Sequence, residues 1–248
     1  MQQSTTKLTS TSATAPAVRL GEHTHVVSRG AMRAWRRELG ALLPSLEAAV
    51  GPLRAEAISE SARQRYFGVL ARLPERPDAP VYGDIVRATA VLVALYSVAR
   101  DDGVSLPEFW QITEKANADR FAKMPRLVRW AAGRAMLGWP ARWWFRRAAV
   151  RSQTATLAGF AFDYVLGDDA SDFGINYTSC PLGAMAAREG VAELGPWICE
   201  LDRVSSEAMG WGLSRTGTLA QGARCCDFRF KKGGATDVAP PPHVEESR

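Results

Sequence analysis

Four cysteines, Cys180, Cys199, Cys225 and Cys226, all fall in the last third of a 248-residue chain. A thiol can attack as a thiolate, ligate a metal, or pack as a small apolar group. Its neighbours decide which. Cys199 falls in the first turn of a helix predicted over "PWICELDRVSSEAMGWGLS", opened by Pro196. A helix start lowers a thiol pKa through the macrodipole and its free N–H groups. Asp202, three residues on, shares that helical face. Cys180 closes a predicted strand. Cys225 and Cys226 are neighbours on another, so their side chains point to opposite faces and only one can join the other thiols. Three cysteines with Asp202 could also ligate zinc, although the spacings are long and no C-x-x-C pair exists. The plain alternative is that all four are buried apolar groups.

Histidine chemistry is disfavoured. His23, His25 and His243 lie in or beside expected tails, so a Cys-His or Ser-His-Asp arrangement lacks an ordered imidazole. A His-rich zinc centre is disfavoured for the same reason. No metal and no cofactor is expected. The net charge of +5 comes mostly from scattered arginines and argues only weakly for an anionic partner. No nucleic-acid module is recognisable, so no nucleic-acid partner is expected.

The elements that must hold these residues divide at about residue 152. Residues 1–25 are Ser/Thr-rich, lack an apolar signal core and read as a disordered tail. Residues 26–152 read as helical. After Ser28, an apolar stripe runs through Met32, Trp35, Leu39, Leu42, Leu46 and Val50. A second runs through Ile58, Ala62, Tyr66, Val69 and Leu73, then a "PERPDAP" loop follows. A helix from about Asp84 to Asp101 is apolar nearly all round. Its core, Ala88–Ala99, is too short to span a bilayer and reads as buried, so no integral membrane span is expected. Ser105–Glu108 has capping-box spacing and opens a further helix. The Trp- and Arg-rich stretch 126–152, broken at Pro140, reads as a helical hairpin with tryptophans in the core and arginines snorkelling; a membrane-surface or anion-binding pair is the sharper alternative. With no secretory signal, the expected compartment is the cytoplasm, where cysteines stay reduced.

Residues 153–233 change character. "LAGFAFDYVLGDD" and "DFGINYTSC" predict a hairpin, the helix bearing Cys199 follows, and "RTGTLAQG" and "CCDFRFK" predict two more strands. The fold class is therefore α+β, a helical N-terminal half packed on a small antiparallel sheet of order β-β-α-β-β, the two regions forming one domain. Residues 234–248 read as a second tail.

The ordered pieces of Asp172–Lys231 resemble the L-2-amino-thiazoline-4-carboxylic acid hydrolase family. They are Tyr177-Thr178-x-Cys180, Cys199-x-x-Asp202, the Arg-Thr-x-Thr-Leu-Ala-x-Gly run Arg215–Gly222, and Cys226-Asp-Phe-Arg-Phe230. The resemblance implies hydrolysis of a cyclic amidine, opening an aminothiazoline ring to N-carbamoyl-L-cysteine, by a hydrolase of the class that acts on C–N bonds other than peptide bonds. It implies that Cys180, Cys199 and Cys226 converge, one of them being the nucleophile. It also implies that Asp202 or Asp227 moves protons and that Arg215 or Arg229 grips a substrate carboxylate, with Tyr177 and Thr178 beside them. Ser179 stands where the pattern has an acid and Pro181 where it has glycine. Both flank a site residue, which points to a different small-molecule substrate, as in secondary metabolism. A non-catalytic small-molecule-binding or sensor domain, and a related ring-forming or rearranging enzyme, fit the same residues.

Overall fold

Helices and strands alternate in large blocks along the chain, and a computed structural model describes residues 17–20, 23–26, 28–73, 80–154 and 158–241. Two short strands come first, β1 (Ala17–Leu20) and β2 (His23–Val26), paired antiparallel. This ladder occupies part of the stretch expected to be a tail, and β2 carries His23 and His25. His243 lies outside the described residues, as do residues 1–16 and most of the "PERPDAP" loop.

Six helices follow: α1 (Arg29–Val50), α2 (Pro52–Ala71), α3 (Pro80–Asp101), α4 (Leu106–Ala122), α5 (Arg126–Leu137) and α6 (Trp139–Thr154). Their starts are chemically marked. The Ser28 hydroxyl accepts the Ala31 N–H at 3.1 Å. Ser105 and Glu108 form the expected capping box, which satisfies two backbone donors at once. The two predicted stripes face inward, with Trp35, Leu42 and Leu46 buried on α1 and Ile58, Ala62, Tyr66 and Val69 on α2. Helix α3 is long and apolar enough to cross a membrane by length and composition, yet most of it is buried as the central helix.

The sheet has five strands: β3 (Ala161–Leu166), β4 (Phe173–Ser179), β5 (Leu213–Arg215), β6 (Cys226–Phe230) and β7 (Asp237–Val238). Their spatial order is β3-β4-β6-β5-β7. Four strands are antiparallel, as expected, and β7 adds to β5 in parallel. The expected tail from residue 234 therefore contributes a strand. The predicted strand over Arg215–Gly222 is mostly a turn. Its Thr216 and Gly217 N–H groups bond to Asp227 instead of a ladder, and Leu219–Gln221 form a 3-10 turn.

Between β4 and β5 run α7 (Pro181–Arg188), the single turn α8 (Gly195–Ile198) and α9 (Leu201–Met209). The helical layer fixes this segment. Arg72 makes a bidentate pair with Glu189, at 3.0 and 2.5 Å. Arg100 donates to the Gly190 carbonyl and to Glu193, at 2.7 and 3.0 Å. Arg203 on α9 pairs with Glu114 on α4, and Trp110 packs against Trp197 with centroids 5.6 Å apart. Helix α5 approaches α9 so closely at Gly133 that a Cβ there would fall on the Met209 carbonyl. One contiguous apolar cluster runs from Ala31 through α3 to Phe230, so the helical layer and the sheet share a core.

Candidate active site

The pleat of the sheet sorts the expected site residues into two groups. Tyr177 on β4 stands directly opposite Cys226 on β6, and Ile175 opposite Phe228. Side chains alternate along a strand, so Tyr177, Cys226 and Phe228 share the face that carries buried Phe173, Ile175 and Phe230. The Tyr177 and Phe228 rings meet edge to face at 5.3 Å. The reverse face carries Asn176, Thr178, Asp227 and Arg229. Three of the expected residues are therefore separated from the thiols by the sheet itself. Arg229 donates to Asn176 at 2.9 Å, and Thr178 donates to the Ala161 carbonyl at 3.3 Å. Burial pushes the Asp227 carboxyl up, but donors from Thr216 and Gly217 outweigh this and leave it below its ordinary value. Asp227 is thus a staple for the β5–β6 connection, which its residue type and motif did not disclose.

Arg215 lies on the thiol side, its guanidinium 5.4 Å from the Phe228 ring centroid. Its side chain is 2% exposed. One nitrogen donates to the Cys199 carbonyl and to Asp202, both at 2.9 Å, and the other to Glu200 at 3.3 Å. The expectation that Arg215 grips a substrate carboxylate gives way here, because its donors are already directed at protein acceptors. Arg215 holds Asp202 in place. Glu200, buried and not foreseen from the sequence, completes the trio.

Asp202 is the most perturbed carboxylate of the region. Burial raises its pKa from 3.8 to about 6, with nearby Glu200 adding to the rise and Arg215 opposing it. Yet 42% of its side chain is accessible. A carboxylate closely ringed by protein atoms and still reached by solvent sits on the floor of a recess. Tyr177 shares that recess, since both the Asp202 and the Cys180 charges act on its hydroxyl. Tyr177 also shares a 3.3 Å hydrogen bond with Tyr82 of α3, a residue that no sequence spacing could have linked to it. Burial raises the Tyr82 hydroxyl to about 12, so it stays protonated.

The three expected thiols feel one another and Asp202 electrostatically, so they share this region. Their settings differ. Cys180 is half-buried and stands at the N-cap of α7. Burial raises it to about 11, against the pull of the Leu182 and Gly183 amides at the helix start. Cys226 is buried and accepts the Leu219 N–H at 3.2 Å; burial raises it too. Cys199 does not lie in a first turn. It is the C-cap of the four-residue α8, and the helix proper restarts at Leu201. Burial, and then the Asp202 charge, push its thiol far above the ordinary range. The expected lowering does not occur: burial dominates, and the thiol sits at the C-cap of α8 rather than inside a helix first turn. Cys225 sits in the bend before β6, so it is not a strand neighbour of Cys226.

Among the described residues, no group of three His, Cys, Asp or Glu side chains is arranged to hold a metal ion, and the three-cysteine zinc arrangement is not formed. A groove of about 450 Å³ between α1 and α4, lined by Ser45, Arg54, Glu108 and Lys115 among others, carries no thiol and lies apart from this chemistry.

The fold and site define an α+β protein with a thiol–carboxylate recess at the junction of a sheet and two helix starts. The chain belongs to the L-2-amino-thiazoline-4-carboxylic acid hydrolase family, whose model matches residues 88–230. That span begins within α3 and includes Cys180, Cys199, Asp202, Arg215 and Cys226. No curated protein and no solved structure matches the chain.

Proposed function

We propose that the protein is a hydrolase that opens a small cyclic C–N substrate of amidine or thiazoline type at its amidine carbon, with Cys180 as nucleophile and Asp202 as proton carrier. The observation that carries this reading is the Asp202 carboxyl, raised to about 6 and held by Arg215 in the recess that Cys180 borders. A group with that pKa both accepts and returns a proton near neutral pH. All three thiols are protonated at that pH, so the nucleophile must lose its proton as it attacks.

The Cys180 sulfur adds to the electrophilic carbon of the C=N unit, forming a C–S bond while the thiol proton passes to Asp202. The charged nitrogen re-forms the C=N bond as the bond from that carbon to the other ring heteroatom breaks, C–N in an imidazoline and C–S in a thiazoline, and Asp202 returns the proton to the departing atom. Water then adds to the sulfur-bound carbon; one of its protons passes through Asp202 to the Cys180 sulfur as the C–S bond to the enzyme breaks, the other goes to the remaining nitrogen, and a C=O group is left on the product. The Leu182 and Gly183 amides stabilise negative charge on sulfur. The Tyr177 hydroxyl, protonated throughout, donates to the substrate heteroatom. The setting is a cytoplasmic biosynthetic step. Cys226 and Cys199 line the recess and are not consumed.

The test is turnover of a panel of aminothiazolines, imidazolines and related cyclic amidines, followed by mass spectrometry of products and of the intact protein. Ring-opened product, with a transient adduct mapped to Cys180, is the expected result. Turnover that persists undiminished in Cys180→Ser removes the covalent mechanism. Ligand binding without turnover across the panel favours the sensor reading.

A further inference from the structure

The α5–α6 hairpin is built inside out. A helix of a globular protein turns its large apolar residues inward. Here several buried positions are small, Gly133 against α9 and Ala148, Ala149 and Ser152 on α6, with Leu137, Met136 and Phe145 completing the inner side. Six other large apolar side chains point outward. Trp139, Trp130 and Trp143 are 79%, 56% and 52% exposed, and Leu127, Val128 and Val150 accompany them. The expectation of core tryptophans holds only for Trp144, which packs against the shared core. Spacing places the outward residues in stripes, Leu127-Trp130-Arg134 on α5 and Trp139-Trp143-Val150 on α6.

Charge sharpens the pattern. Residues 126–151 contain seven arginines and no acidic residue. Among the described residues, only Arg142 of the seven enters an ion pair, with Asp172 at 3.5 Å. Arg134 lies over the Trp130 ring at 4.8 Å and Arg147 over the Trp143 ring at 4.3 Å. Each cation thus sits beside an exposed aromatic surface.

We propose that the solvent-facing side of the α5–α6 hairpin docks on an anionic phospholipid membrane, with the tryptophans entering the headgroup boundary and the arginines meeting lipid phosphates and carboxylates. Such a boundary receives indole rings, aliphatic side chains and cations together. A nucleic acid would satisfy the arginines but offers no place for Leu127, Val128 and Val150. A second copy of the same face would set like charges against one another. On its inner side, α6 carries Trp144, which stacks on Tyr82 at 6.3 Å, and Tyr82 bonds to Tyr177. The docking face and the recess therefore adjoin through three aromatic residues.

The experiment is co-sedimentation of the full chain with vesicles of phosphatidylcholine alone and of phosphatidylcholine mixed with phosphatidylserine. Binding to the anionic vesicles only, weakened by added salt, is expected. The Arg134→Gln/Arg147→Gln variant should partition about 25-fold more weakly, since each cation near an anionic surface contributes about fivefold. The Trp139→Ser/Trp143→Ser variant should lose binding while keeping the wild-type melting temperature. Quenching of tryptophan fluorescence by brominated lipid should fall in the same variant. No vesicle binding, binding unchanged in both variants, self-association that consumes the face, or binding to an RNA homopolymer in place of vesicles would each overturn the proposal.

Discussion

Arg215 and Asp202 form a 2.9 Å ion pair in which the cation is almost wholly buried and the carboxylate is open to a recess. The asymmetry fixes their roles. Arg215 cannot reach solvent or substrate without abandoning Glu200, Asp202 and the Cys199 carbonyl. Asp202 remains available on its open side. Arg215→Gln should therefore cost about 1–3 kcal/mol, because it removes the buried cation from Asp202 and leaves Glu200 with only the Arg203 pair at 3.3 Å. Urea denaturation measures this. A loss below about 1 kcal/mol would show that the trio is not load-sharing in the folded state.

The pH dependence follows from Asp202. As a proton acceptor it must be ionised, so kcat/KM for a ring-opening substrate should rise with pH through about 6, and Asp202→Asn should abolish that limb. Stability moves in the opposite sense. The folded-state pKa lies above the ordinary 3.8, so the protonated form is favoured by folding. Its contribution is full below about pH 4 and is lost as pH rises through 6. Differential scanning across pH 4 to 7 should show a slope of this sign that is reduced in Asp202→Asn, the remainder coming from Glu200, whose carboxyl burial also raises.

The cysteines should be unequal. Cys180→Ser should lower kcat by at least about 100-fold with little change in melting temperature, since a hydroxyl is a far weaker nucleophile at that position. Cys226→Ser should keep the Leu219 N–H bond through its hydroxyl and cost about 1 kcal/mol or less. Cys225→Ser, outside the strand, should be near neutral. Iodoacetamide labelling with peptide mapping checks the order: Cys180 should react before Cys226 and be protected by substrate.

Gly133→Ala should destabilise the protein although alanine is the better helix former. The added methyl meets the Met209 carbonyl, a backbone atom that cannot rotate away, so α5 must shift off α9 at a cost of about 1–3 kcal/mol. Gly40→Ala, with nothing near its Cβ position, is the control and should be neutral or stabilising.

Much of this was legible in the residues. The α1 and α2 stripes, the Ser105–Glu108 box and the β3–β4 hairpin are local patterns, and the local signals agree with the fold. The grouping of Cys180, Cys199 and Cys226 came from the motif resemblance and from no local pattern. What escaped was decided at a distance or by a single backbone break. Pro196 signals a helix start, yet that helix lasts four residues and delivers Cys199 at its end. Asp227 and Arg229 look equivalent to Cys226 and Phe228 in the motif, and only the pleat separates them. The outward tryptophans repeat at helical spacing, and spacing does not say which side of a helix meets the core.

The strand order also sets a sequence of events during synthesis. Helices α1 to α4 touch chiefly one another, so they can pack as soon as they emerge. Strand β4, with Cys180 directly behind it, must then wait for β6, because its inner partner is made only after α7, α8, α9 and β5. Until Cys226 arrives opposite Tyr177, one side of β4 is an open edge with free N–H and C=O groups. The thiol recess is thus among the last features to be assembled, and the nascent protein carries its most adhesive surface for just as long as it lacks its chemistry.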